Sequence, residues 1–337
     1  MAEPEWSRGR MLPLDRLDIL LAREIADLDA NSAGDPSFRK PIHSIAKKLG
    51  VDENTIRSRM ERWRKTGYLR GWWLGINPTL LGLQMFQVWL DVHPDSLKSK
   101  AIKKIGALNE VGSIKDYFGD SLSVSLYCQT ESEFKITLNS ISRICNSEKV
   151  NWIRSSFPNC QISLSDIDWK IIASLQSNPW KSFTTAGKEV GVSTRTVSRR
   201  VLKMAKSNTA FLLVDINPKA MKGAIFADLL VFYENLDAGR KVVERAIKRL
   251  DEMIIFREPG ANHCVFALQL ENISNVKEIL HWIRNEPGVS EARLDILEDI
   301  ILLRDARRVK LGMELKQDMV VQPNNRGSSR STIRTSH

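Results

Sequence analysis

The sequence repeats itself, and the repeat limits the folds open to the chain. Residues 14–21 read LDRLDILL and residues 164–171 read LSDIDWKI, so that Asp18 and Asp168 correspond. Further on, IAKKLGVDENTIRSRM (45–60) matches GKEVGVSTRTVSRRV (187–201), which aligns Gly50 with Gly191, Thr55 with Thr196 and Arg59 with Arg200. Ile76-Asn77-Pro78 then aligns with Ile216-Asn217-Pro218. The offset between copies falls from 150 to 141 to 140 residues, as a surface insertion in the first copy at DANSAGDPS (29–37) would produce. Three anchors in one order, drifting in one direction, predict two copies of one folding unit.

The repeated segment has the pattern of a helix-turn-helix, two amphipathic helices joined by a tight turn. In the first copy Pro41 opens HSIAKKLG, with Ile42, Ile45, Ala46 and Leu49 on one face. Gly50 supplies a left-handed turn residue, and Asp52 suits a helix N-cap. Thr55, Ile56, Met60 and Trp63 line the buried side of the second helix, which leaves Glu53, Asn54, Arg57, Ser58, Glu61 and Arg62 outward. In the second copy Gly191 is the turn and Ser193 the cap; Val197, Val201 and Met204 face inward, and Thr194, Arg195, Ser198, Arg199 and Lys203 face out. Arginine and lysine reach phosphates and guanine edges, asparagine pairs with adenine, and serine and threonine reach either. The candidate DNA-contacting residues are therefore Asn54, Thr55, Arg57, Ser58 and Arg62 in the first copy. In the second they are Ser193, Thr194, Arg195, Thr196, Ser198, Arg199 and Lys203. A short wing is expected after each unit, at 67–77 and 208–217, with Arg70 and Trp72 beside the groove and a tryptophan packed under the wing.

Each copy then continues alike. MFQVWLDV (85–92) alternates as a strand does, residues 95–108 read as a helix, and GSIKDYFG (112–119) and SLSVSLYC (121–128) read as a hairpin around Gly119-Asp120. A helix over 131–145 and a strand over 149–156 follow. The second copy gives strands over 224–233, 253–260, 264–270 and 289–297, with helices over 238–250 and 274–285. This β-α-β-β-α-β order is that of a ferredoxin-like sandwich, with helices on one sheet face and the other face open. Val88, Leu90 and Val92 mark the core side of the first strand, and Trp89 on the opposite side predicts a partner there. The expected fold class is α+β: two tandem units, each a winged helix-turn-helix followed by a ferredoxin-like βαββαβ domain. The expected boundaries are 12–80 and 84–160 for the first unit, 163–220 and 224–305 for the second, and 306–337 for a helix end and a disordered basic tail.

Charge supports an anionic partner. Lys and Arg number 50 against 40 Asp and Glu, a formal net charge of +10. The excess is concentrated: 181–207 holds seven Lys/Arg and one Glu, and 41–75 holds eight Lys/Arg and three acids. Cys128, Cys145, Cys160 and Cys264 have no CxxC spacing, so they read as small buried hydrophobes in a reducing compartment. No catalytic grouping, metal-ligand cluster or phosphate-binding glycine loop stands out, and no cofactor is expected. With no apolar run of signal-peptide or membrane-span length, the chain is expected to be soluble and cytoplasmic, with no membrane partner.

The ordered set of LDRLDILL/LSDIDWKI, the LGVDENTIRSRMERW and VGVSTRTVSRRVLKM helices, the Ile-Asn-Pro junction and the βαββαβ module resembles the leucine-responsive regulator/AsnC (Lrp/AsnC) family of transcription regulators over about residues 12–305. The resemblance implies sequence-specific binding of double-stranded DNA, with recognition helices in the major groove. It also implies a small-molecule effector, often an amino acid, at interfaces between the α/β domains. The corresponding turn residues are Gly119 and Asp120 in the first copy and Gly260, Asn262 and His263 in the second. The family's Gly-x-x-Asp turn is altered in both, because Asp120 directly follows Gly119 and no Asp follows Gly260. Family members usually carry one copy and dimerise, so a tandem chain reads as an intrachain pseudo-dimer able to form homo-oligomers. Two alternatives stay open. Siroheme decarboxylases resemble the family in fold and bind an anionic tetrapyrrole, although His263 in a turn and His281 on a helix read as surface groups. The other is a protein–protein adaptor that has lost DNA binding.

Overall fold

The computed structural model describes residues 12–26, 41–155, 157, 160, 162–176, 178–222, 224–260 and 262–303. The insertion at 29–37 and the tail at 306–337 lie outside the described residues. No helix among the described residues is long and apolar enough to cross a membrane.

The chain opens with a short strand, β1 (Leu12–Pro13), and three helices, α1 (Arg16–Ala26), α2 (Ile42–Leu49) and α3 (Glu53–Lys65). Local chemistry sets their ends. The backbone N–H of Asp18 donates to the Asp15 carboxylate at 2.9 Å, and that of Asp15 donates back to Asp18 at 3.2 Å. Gly50 ends α2 at φ +67°, a left-handed conformation that glycine adopts without a Cβ penalty. Asp52 caps α3 by accepting from the Thr55 N–H at 2.8 Å. Leu21, Ile25, Ile45, Ala46, Ile56 and Trp63 close on one another as the helical spacing requires.

The strand β2 (Leu69–Ile76) leads to the first α/β module: β3 (Gln84–Asp91), α4 (Lys98–Ile105), β4 (Val111–Tyr117), β5 (Ser121–Cys128), α5 (Glu131–Cys145) and β6 (Val150–Ser155). Three further helices follow, α6 (Asp166–Gln176), α7 (Phe183–Val190) and α8 (Thr194–Lys206), and then β7 (Ala210–Ile216) and β8 (Met221–Lys222). The second module comprises β9 (Ile225–Tyr233), α9 (Leu236–Leu250), β10 (Ile254–Pro259), β11 (His263–Leu270), α10 (Ile273–Arg284) and β12 (Val289–Leu302).

All eight long strands of the modules join one antiparallel sheet in the order β10-β11-β9-β12-β4-β5-β3-β6. The seam is β12. The strand expected at 289–297 runs on to Leu302: its first part pairs with β9 and its last part, Leu297 to Leu302, pairs with β4. The run Ile300-Ile301-Leu302 supplies the extra pairing residues, and Ile301 packs onto the first module's core. Val88, Leu90, Val124 and Ile141 form that core under α4 and α5; Leu229, Val231, Phe266 and Ile283 form the other under α9 and α10. The opposite faces also meet. Trp89, Tyr117 and Ile153 of the first module pack against Leu230 and Val265 of the second, so the partner predicted for Trp89 is in the same chain.

The segments expected as two separate wings differ from that expectation. β2 and β7 pair with each other as an antiparallel ribbon, Leu74 opposite Leu212 and Ile76 opposite Ala210. Apolar residues on both strands find a common burial site in this way: Leu69 and Leu212 are buried in the core of the first three helices, together with Phe226 of β9. Trp72 meets Trp180 edge-on with ring centroids 5.7 Å apart. Ile255 of β10 and Leu297 of β12 pack against the same core, which seats α1–α3 on the second module. Arg16–Glu252 (2.6 Å) and Arg23–Asp251 (3.0 Å) tie α1 to the turn before β10.

Candidate nucleic-acid interface

The two three-helix segments, α1–α3 and α6–α8, share one internal brace. In the second, Asp168 accepts from Arg200 at 2.8 Å and from the Ser165 hydroxyl at 2.6 Å. In the first, Asp18 lies 2.9 Å from Arg59. These are the residues that the sequence alignment pairs, so each segment fixes its third helix to its first by the same carboxylate–guanidinium contact. Burial alone would raise the Asp168 carboxyl; hydrogen bonds from Ser165 and the Arg200 guanidinium hold it below the usual carboxylate value. Asp15 is likewise held low, against the opposing effect of burial, by the Asp18 N–H and Arg59.

Beyond the brace the helices diverge. On α3, Arg57 contacts Glu53 at 3.2 Å, Arg64 contacts Glu61 at 3.3 Å, and Lys65 lies 3.9 Å from Glu61. Arg62 reaches back to the fully buried Asp18 at 2.6 Å, and the Trp63 indole donates to the same carboxylate at 3.0 Å. Arg62 is outward by helical phase, but its guanidinium is engaged inside the unit. Asn54 and Ser58 are exposed, whereas the Thr55 hydroxyl donates to Asp52 at 2.7 Å.

On α8 the outward residues are open. Thr194, Arg195, Ser198, Arg199, Lys203 and Lys206 are all exposed. Among the described residues, Arg195, Arg199, Lys203 and Lys206 form no ion pair. The helix carries five basic residues and no acidic one. Ser193 and Thr196 serve the cap: Ser193 accepts from the Thr196 N–H at 3.1 Å, and their hydroxyls lie 2.9 Å apart. Helical spacing missed Lys206 and Leu202. Leu202 is 39% exposed on the same face, and its only sequence signal was that it is one residue off the buried set.

Arg70 departs from its expected place beside a nucleic-acid backbone. Its guanidinium bridges Asp215 of β7 (2.9 Å) and Asp299 of β12 (3.0 Å), and donates to the carbonyls of Ile216 and Ile300, both at 2.6 Å. Two acceptors on β7 and two on β12 surround one side chain, so Arg70 is a strut between the ribbon and the large sheet.

The effector-turn candidates lie on separate hairpins. Gly119, at φ +88°, turns β4 into β5 and its carbonyl accepts from Lys98 at 2.7 Å; the Asp120 carboxylate lies 3.8 Å from His93. Gly260 and Asn262 flank the β10–β11 turn, where the Asn262 amide oxygen lies 3.0 Å from His263 Nδ1. No hydrogen bond or ion pair among the described residues joins the two turns. His263, expected at the surface, is 2% exposed. It opens β11 on the inner sheet face near the Phe232 ring and takes the space that a Cβ at Gly260 would need. Burial lowers its pKa from the ordinary value.

Residues 164–205 match the AsnC-type helix-turn-helix domain. The chain is 26% identical over 136 residues to the HTH-type transcriptional regulator Ptr1 of Methanocaldococcus jannaschii, a match covering 40% of this chain and 85% of that protein. It is 29% identical over 118 residues to the HTH-type transcriptional regulator LrpA of Pyrococcus horikoshii, covering 33% of this chain and 81% of that one. Among solved structures, the siroheme decarboxylase NirDL aligns over 91% of this chain and 100% of its own length, with a TM-score of 0.53 and 14% identity. At that identity the likeness is one of fold.

Proposed function

We propose that the chain is a transcription regulator of the Lrp/AsnC family and that it regulates by binding double-stranded DNA with α8 as the principal reading helix. The carrying observation is the open basic face of α8, where Arg195, Arg199, Lys203 and Lys206 stand exposed and form no ion pair among the described residues. Such a face suits a polyanion, and its serine, threonine and arginine side chains suit base edges in the major groove. We further propose that the chain is a tandem pair of units, bounded as read from the sequence, whose α/β modules associate within one chain as an intrachain pseudo-dimer. The shared Asp18–Arg59 and Asp168–Arg200 braces and the contact of Trp89 with the second module support that reading. The first unit then acts chiefly as a fixed platform for the second.

The test is fluorescence anisotropy of the full chain with genomic duplex fragments at two salt concentrations. Affinity is expected to fall steeply with salt, by a log–log slope of about 0.9 per phosphate contacted. Arg199→Ala is expected to weaken binding about tenfold or more, with an unchanged circular dichroism spectrum because the side chain is exposed. Binding that is indifferent to salt, or to loss of Arg199, overturns the assignment of α8.

A further inference from the structure

We propose that Leu202 is a specificity-determining residue that reads the C5-methyl group of a thymine in the major groove. The proposal rests on α8 as the reading helix. Leu202 is the one large hydrophobic residue that is exposed in either helix-turn-helix unit among the described residues. The core has no need of it, since Val197, Val201 and Met204 already fill the buried side of α8. In the first unit the aligned position is Glu61, so the shared frame does not require an apolar side chain there.

Its neighbours define the occupant. Leu202 follows Arg195 by seven residues, Ser198 by four and Arg199 by three, and precedes Lys206 by four, so these side chains surround it on the helix surface. A leucine ringed by three unpaired cations is a poor seat for an apolar protein surface, because burying it there would strip water from the charges. The fitting partner is densely anionic and offers one small apolar group at the centre. The major groove of DNA has that composition: phosphates flank it, and the thymine methyl is the apolar group on its base edges. Arg195, Ser198, Arg199 and Leu202 stand at i, i+3, i+4 and i+7, the spacing by which one helix face presents four side chains along a groove. Arg195 and Arg199 address guanine or phosphate, Ser198 a neighbouring base edge, and Leu202 the methyl.

The experiment selects a binding site for the full chain from a randomised duplex pool, then replaces each thymine of that site in turn by deoxyuridine, which removes only the methyl. At one position at least, the wild-type chain is expected to lose about fourfold in affinity, the value of burying one methyl-sized group. Leu202→Ala, with an unchanged circular dichroism spectrum, is expected to bind the thymine and uracil versions of that position equally. If the wild type selects and binds a site but tolerates uracil throughout, or if the alanine variant keeps the discrimination, the role of Leu202 is overturned while α8 remains the reading helix. If the chain selects no duplex, the DNA-binding assignment fails with it.

Discussion

The two helix-turn-helix units share a frame and differ in where their cations go. On α3, two glutamates and the buried Asp18 engage Arg57, Arg62, Arg64 and Lys65. On α8, Thr194 and Leu202 stand where the first segment has Glu53 and Glu61, and Arg195, Arg199, Lys203 and Lys206 are exposed. Exposed ion pairs contribute little stability, about 0–1 kcal/mol each. Their consequence is electrostatic, because they flatten the positive potential that a polyanion would meet. On the proposed function, the first segment keeps the shape of a reading unit while its outward cations are neutralised.

The largest expected difference is in stability. Asp18 is fully buried and accepts from Arg62, Trp63 and the Asp15 backbone beside its contact with Arg59. Asp18→Asn leaves those donors short of charge and is expected to cost about 3 kcal/mol. Asp168→Asn disturbs one guanidinium and one serine and is expected to cost about 1.5 kcal/mol. Urea denaturation of both variants gives the ranking; an equal or larger loss at Asp168 would break the contrast between a braced and a lightly held unit.

That contrast was partly legible in the sequence. Periodicity of 3.6 identified the inward residues of both helices, and the alignment set Asp18 against Asp168 and Arg59 against Arg200 before their contacts were known. What it could not convey was the reach of long side chains. Arg62 is outward by phase, yet its guanidinium extends to Asp18, 44 residues earlier. Arg70 lies on a strand whose partner is more than 130 residues away, so neither the β2–β7 ribbon nor the acceptors around Arg70 leaves a local trace. The extension of β12 across the seam was hidden for the same reason: the partner of its last part, β4, belongs to the other copy. Local chemistry was readable, and non-local pairing was not.

A middle-sized effect tests whether neutralisation weakens α3 as a DNA-binding surface. Glu53→Thr with Glu61→Leu gives α3 the residues that α8 carries at the aligned positions. The change frees Arg57, Arg64 and Lys65 from their carboxylates and removes two negative charges from the surface. DNA affinity at low salt is expected to rise about threefold, with the gain fading as salt increases. The measurement is the anisotropy titration used for Arg199→Ala. No gain at low salt would show that the orientation of α3, held by its seat on the second module, is what keeps it from DNA.

The smallest effect separates the two hairpin turns. Ser121 opens β5 and donates to the Asp91 carboxylate at 2.8 Å. His263 opens β11 on the equivalent inner face, and burial depresses its pKa. A folded-state pKa below the unfolded value of about 6.5 means that the unfolded chain binds more protons in the interval between them. Stability from a neutral His263 is therefore complete above about pH 6.5 and declines as pH falls through the folded-state value. His263→Gln keeps a neutral polar side chain and removes the titration, so its urea midpoint should fall less between pH 7.5 and 5.5 than that of the unsubstituted chain. Parallel declines for the two proteins would place the acid sensitivity elsewhere than at the second turn.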